Sequence, residues 1–114
     1  MATVLVDGEN VRRSVWPNVG PHELVRRCAA WAAAEGHDLV VVFDGPAPDV
    51  EEAKVTVLGT GSESADDRLV LLAEEAAGEV WLVTSDRELR RRVGDFAERV
   101  IGGGSFVREL SAAA

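Results

Sequence analysis

The stretch Val4-Leu5-Val6-Asp7-Gly8-Glu9-Asn10 decides how the chain reads. A short apolar run, largely β-branched, stops at an acid and a glycine, which marks a strand. It is apolar on consecutive positions, as central strands of parallel sheets are when both faces are covered. Asp7 then stands at the strand's carboxyl end, the edge where open α/β sheets bind ligands. Taken alone, Asp7-Gly8 reads first as a plain turn. The pattern gains weight because it recurs. Leu39-Val-Val-Val-Phe43 runs into Asp44-Gly45, and Val80-Trp-Leu-Val83 runs into Thr84-Ser85-Asp86.

Helical segments lie between these strands. Gly20-Pro21 opens one, with proline at its first turn, and Gly36 closes it. Leu24, Val25, Cys28, Ala29, Trp31 and Ala32 recur along it at helical spacing. Residues 54–58 alternate and read as an edge strand. Ser64 with Asp67 reads as a capping box opening a helix over 65–77, closed by Gly78. Ser85 with Glu88 reads as a second box, and 97–101 as a last strand. The stretch after Asn10 reads as a loop or a short helix. The glycines at 102–104, the segment around Phe106 and the alanines at 112–114 read as peripheral. Strands alternating with helices imply a parallel sheet with right-handed crossovers. The expectation is one three-layer α/β domain over 1–114, a mainly parallel sheet with helices on both faces.

Composition narrows the function. Hydrophobic residues make up 46% of the 114, so a packed core is expected. The net charge of −8, with 20 acids against 12 bases, argues against diffuse binding to nucleic acid. Every base but Lys54 is arginine, which favours local bidentate contacts with phosphate or carboxylate. A single cysteine excludes an internal disulfide and fits a reducing compartment. No apolar run approaches the ~20 residues that cross a bilayer, and no signal peptide is read. A cytoplasmic protein without a membrane partner is expected. The stretch 59–64 is no P-loop, since no Gly-Lys-Ser/Thr follows.

The acids converge. Asp7, Asp44 and Asp86 close three strands, whose ends share one edge in a parallel sheet. On a helical wheel Asp66 falls roughly 60° from the centre of the apolar face and Asp67 roughly 160°. Asp66 thus leans inward, and Asp67 points to solvent as a cap. Glu63 reaches in from the preceding loop. Clustered carboxylates repel and raise each other's pKa unless a cation fills the gap. Oxygen ligands of this kind suit Mg²⁺ or Mn²⁺. The competing readings are that Asp86 only opens a helix and that Asp44 only makes a turn. His22 and His37 read as surface residues at helix ends.

The motifs V-D-G-E-N at 6–10, V-F-D-G at 42–45, E-S-A-D-D at 63–67 and V-T-S-D at 83–86 stand in this order along nearly the whole chain. Together they resemble the NYN domains of the PIN-like nuclease superfamily. Among these, the YacP-like bacterial branch has the pattern D-G-Y-N, V-F-D, E-T-A-D, V-T-S-D. The resemblance implies a PIN-like fold and a metal-dependent ribonuclease leaving 5′-phosphate products. It also implies that Asp7, Asp66 and Asp86 are the metal-site acids. Asn10 matches the asparagine of the first motif, and Asp44 and Glu63 match further polar positions. Glu9 departs from the pattern, which often has an aromatic there, and the loop over 45–53 is short.

The expected function is a metal-dependent endoribonuclease, with Asp7, Asp66, Asp86 and Asn10 catalytic. Asp7, Asp66, Asp86, Asp44 and Glu63 would surround Mg²⁺ or Mn²⁺. Arg12, Arg13, Arg68 and Arg87 flank the edge and would hold RNA phosphates. Arg90, Arg91 and Arg92 read instead as a solvated helix face, for at least one of the three. One alternative is a non-catalytic RNA- or ribosome-binding module of the same fold. Another is a haloacid-dehalogenase-like phosphatase, whose D-x-D motif Asp7-Gly8-Glu9 imitates and whose phosphate-binding hydroxyl Thr84 would mimic. That chemistry wants a later lysine, and Lys54 comes too early.

Overall fold

The computed structural model describes residues 1–113; of the alanine tail, Ala114 lies outside the described residues. The elements run β1 (Thr3–Asp7), α1 (Gly8–Arg12), α2 (Pro21–Glu35), β2 (Asp38–Phe43), β3 (Val55–Gly59), α3 (Ala65–Glu75), β4 (Val80–Val83), α4 (Arg87–Val93), β5 (Arg99–Ile101) and α5 (Gly103–Ala113). The five strands form one sheet in the order β3-β2-β1-β4-β5, and every neighbouring pair is parallel.

The strand sequences explain the layers. Along β1, Val4 and Val6 point to one face and Leu5 to the other. The first face is covered by α1, α2 and α5, through Val11, Leu24, Trp31, Phe106 and Leu110 among others. The second is covered by α3 and α4, through Leu69, Ala73, Leu89 and Val93. A strand sealed on both faces needs apolar side chains at consecutive positions, which is why these strands read as unbroken runs. Cys28 is part of this core, and burial pushes its thiol up to about 12, so it behaves as a small apolar side chain.

Several local expectations are corrected. The stretch after Asn10, read as either loop or short helix, is both: α1 starts directly at Gly8 and ends at Arg12, and the chain runs on irregularly to Gly20. The segment around Phe106 is not peripheral. It is α5, with Phe106 and Leu110 almost wholly buried, because its amphipathic face closes the first layer. Helix α3 ends at Glu75 with Ala76 extended, so Gly78 is not its cap. Ser64 does cap α3 by accepting from the Asp67 amide at 3.1 Å. The second capping box is absent. Asp86 itself caps α4, its Oδ1 accepting from the Leu89 amide at 3.1 Å. His37 is half-buried rather than a plain surface residue. Its Nδ1 accepts from the Ala2 amide, and its ring packs 4.5 Å from Trp81.

Candidate active site at the carboxyl edge of the sheet

The order β3-β2-β1-β4-β5 reverses direction between β1 and β4, and doubly wound sheets open a crevice at that switch point. An open cavity of about 590 Å³ lies there, lined by Asp7, Glu9, Asn10, Arg13, Ser14, Asp44, Ser64, Asp66, Ser85, Asp86 and Gly104. Five acids thus face one space: Asp7, Asp44, Asp66 and Asp86 from four separate segments, and Glu9 from the first turn of α1.

Register puts them there. Val6 pairs with Val83, so the next residues, Asp7 and Thr84, stand side by side. The Thr84 hydroxyl donates to Asp7 Oδ2 at 2.9 Å and accepts from the Asp86 amide at 3.1 Å. Thr84 is fully buried, so one hydroxyl ties the end of β1 to the turn that presents Asp86. Asn10 makes a second tie, its Oδ1 accepting from the Ser85 amide at 2.8 Å. Ser85 Oγ in turn accepts from the Gly103 amide at 2.8 Å, which joins the first turn of α5 to the same network.

Glycine at position 8 is a packing requirement. A Cβ there would meet Phe43 ring carbons at 2.9 Å and the Val42 carbonyl at 3.0 Å. Only a bare backbone lets the chain turn from β1 straight into α1 against β2. On the far side, Asp44 Oδ1 accepts from the Ala65 amide at 2.8 Å, so Asp44 anchors the start of α3. That anchoring brings Asp66, the second residue of α3, to the cavity.

The electrostatics follow from this crowding. Asp7 is 5% exposed, and its pKa is pushed up to about 6, first by burial and then by Asp66 and Asp44. The Thr84 hydroxyl and the Asn10 amide pull the other way. Asp66 is also raised, by burial and by Asp86 and Asp44, with Arg92 opposing. A strongly perturbed carboxyl in a cleft, as Asp7 is, marks where chemistry is to be sought.

The remaining candidates are distributed unevenly. Glu63 does not line the cavity; it lies 2.8 Å from Arg68 Nε, an ion pair without hydrogen-bond geometry. Arg13 lines the cavity, while Arg12 and Arg13 both reach back to Glu9, at 2.9 and 3.3 Å. Arg87 is exposed and outside the cavity lining. Asp67 is exposed and pairs with Arg92 at 2.9 Å rather than capping. Arg91 pairs with Glu88, whereas Arg90 is no solvated bystander: its Nε donates to the Thr84 carbonyl at 2.9 Å. No motif signals Ser14 or Gly104, and Ser85, part of the V-T-S-D motif, reads in the sequence only as a helix cap. Thr84, part of the same V-T-S-D motif, has a role in the sequence reading only as a phosphate-binding mimic, and its hydroxyl is engaged by Asp7 and the Asp86 amide inside the protein.

The donor set is all oxygen, the kind a hard divalent ion takes. Among the described residues, however, no three acidic, histidine or cysteine side chains stand close enough together to hold a metal ion. Asp44 and Asp86 each have an oxygen engaged by a helix amide, while Asp66 makes no such bond. The residues fit an ion that keeps several waters and is gripped directly by one or two carboxylates, as Mg²⁺ commonly is.

No protein-family model and no curated protein sequence matches the chain. Solved structures do. The crystal structure of Rae1 (YacP) from Bacillus subtilis matches with a TM-score of 0.80 at 25% identity, over 99% of this chain and 75% of that one. A Trp-to-Leu variant of the same protein matches with a TM-score of 0.79 at 24% identity, over 99% and 77%. The chain therefore has a YacP-like α/β fold. No described helix is long and apolar enough to cross a membrane.

Proposed function

We propose that this protein is an endoribonuclease whose acidic cavity works with Mg²⁺ or Mn²⁺. One observation carries the proposal: Asp7, Asp44, Asp66 and Asp86 meet around a single cavity, with the pKa of the most buried of them pushed up by burial and by its acidic neighbours. The YacP-like fold and the four ordered motifs support the same reading, since NYN-type domains are metal-dependent ribonucleases. A divalent ion bound here would supply Lewis-acid activation of water and neutralise charge developing on the phosphodiester.

The chain's own groups then have distinct tasks. Asp7, Asp66 and Asp86 are the acids that would face the ion, directly or through water. Asp44 positions α3, and hence Asp66. Thr84 orients Asp7 and keeps its Oδ2 hydrogen-bonded, as outer-shell partners of metal ligands do. Asn10 fixes the Ser85 amide and so the turn bearing Asp86. Arg13, 65% exposed at the side chain, is the arginine placed to meet a phosphate at the cavity. RNA is the partner this implies, and a ribosome-bound RNA is one form it would take.

A non-catalytic RNA-binding module of the same fold is the second reading. Its one specific support is that no three described acids gather on a single point. The test is cleavage of end-labelled single-stranded RNA with Mn²⁺, Mg²⁺ or chelator. Metal-dependent cutting that disappears in Asp7→Asn is the expected result. Binding without cutting under all three conditions would favour the module.

A further inference from the structure

From the loop that follows α1 we infer that Trp16 is a stacking platform for a nucleobase of single-stranded RNA beside the cavity. This rests on the proposed RNA reading and adds to it the group that grips a base. Trp16 is 88% exposed, the most exposed of the large apolar side chains. Single exposed apolar residues are ordinary, so exposure alone carries nothing. Three further observations do.

The first is place. Arg13 and Ser14 line the cavity, and Trp16 follows Ser14 by two residues, within about 7 Å along the backbone. The second is rigidity. The loop is pinned on both sides of Trp16. Ser14 hydrogen-bonds back to the Val11 carbonyl and Val15 packs on the core. Beyond the tryptophan, Val19 is buried, with its amide bonded to the Arg12 carbonyl at 2.9 Å. The ring is thus offered from a fixed base, which lowers the ordering cost of binding. The third is electrostatic. The chain carries −8, and four of the arginines near the edge already share ion pairs with acids. Arg12 and Arg13 meet Glu9, Arg68 meets Glu63, and Arg92 meets Asp67. Diffuse attraction to phosphate is therefore limited, and an uncharged contribution adds to the grip that Arg13 gives. Base stacking on an aromatic face is such a contribution and tolerates any sequence.

The other two tryptophans are occupied. Trp31 is buried against Phe106 and donates to Glu109, and Trp81 lies between His37 and Arg99. Among the described residues no aromatic ring or guanidinium stacks on Trp16.

The test uses the full chain in chelator, so that nothing is cut. Two probes of equal length are titrated: oligouridylate, and the same ribose-phosphate chain without bases. Tryptophan fluorescence and Kd are read for wild type, Trp16→Ala and Trp16→Phe. The expected result has three parts. Oligouridylate quenches wild type. Trp16→Ala raises its Kd about five- to a hundredfold while leaving the abasic Kd unchanged. Trp16→Phe recovers most of the loss. Equal binding of both probes by wild type, or an unchanged Kd in Trp16→Ala, overturns the stacking role while leaving the RNA reading intact. No binding of either probe overturns both. Base-dependent quenching in a protein that never cuts RNA with metal would retain the stacking role and remove only the nuclease activity.

Discussion

At the scale of single residues, Asp7 concentrates the argument. A carboxyl whose pKa is raised from 3.8 to about 6 on folding binds its proton more tightly in the native state. The native state then holds more protons than the unfolded chain between those values, so folding stability falls as pH rises through that window. Replacing Asp7 by Asn removes the ionisation but keeps an oxygen for Thr84. Asp7→Asn should therefore match wild type below pH 4 and exceed it above pH 6, by at most about 3 kcal/mol. Denaturant melts of both proteins in chelator across pH 3–8 check this; a mutant less stable at pH 7 would make Asp7 a structural acid. The same variant should lose cleavage by more than the roughly 10–100-fold typical of outer-shell changes. Thr84→Val sits in that outer-shell range, because it frees Asp7 Oδ2 and leaves the Asp86 amide without its partner. Steady-state cleavage rates of the two variants side by side check the order.

At the scale of elements, α5 matters more than its sequence suggests. Its alanine- and glycine-rich composition looks like a loose tail, yet Phe106 is fully buried against Trp31 at 5.0 Å between rings. Phe106→Ala should cost about 3–5 kcal/mol of stability, the usual consequence of emptying an aromatic site in a core. A loss below about 1 kcal/mol in a urea melt would return α5 to the periphery. The helix also reaches the site, because its Gly103 amide holds Ser85. A Cβ at Gly103 would meet Ser14 and Ser85 side-chain atoms at 3.1–3.3 Å. Gly103→Ala should therefore disturb the Asp86 turn, lowering cleavage more than it lowers stability; comparing the rate with the melting midpoint checks it.

At the scale of the whole molecule, charge sets the working conditions. On the proposed reading, the excess of acids on the cavity wall would be offset by a cation that binds the folded state. Mn²⁺ at a hundred times its Kd should stabilise the fold by about 2.7 kcal/mol. For a domain of this size that is a rise in Tm on the order of 10 °C. Asp7→Asn and Asp66→Asn should shrink that rise. Protons and metal compete for Asp7, so the acid limb of the cleavage rate should move to lower pH as Mn²⁺ increases. A limb that stays near pH 6 at every Mn²⁺ concentration would separate Asp7 from metal binding.

The sequence by itself determined the order of the five strands and of α2, α3 and α4, the parallel arrangement of the strands and the edge on which Asp7, Asp44, Asp66 and Asp86 meet. Each of these rests on short-range rules: apolar runs that stop at an acid, helical spacing, and the shared direction of parallel strands. The helical wheel alone separated Asp66, at the cavity, from Asp67, on the surface. Tertiary structure alone decided what joins the acids. Thr84 meets Asp7 across 77 positions and Asn10 meets Ser85 across 75, contacts that register creates and no local pattern encodes. It likewise decided that Glu63 turns to Arg68, that Asp86 replaces Ser85 as the cap of α4, and that a helix of small residues closes the core. In each case the competing partners were compatible with the local sequence. The choice fell to whichever group the packed sheet brought within hydrogen-bonding or van der Waals reach.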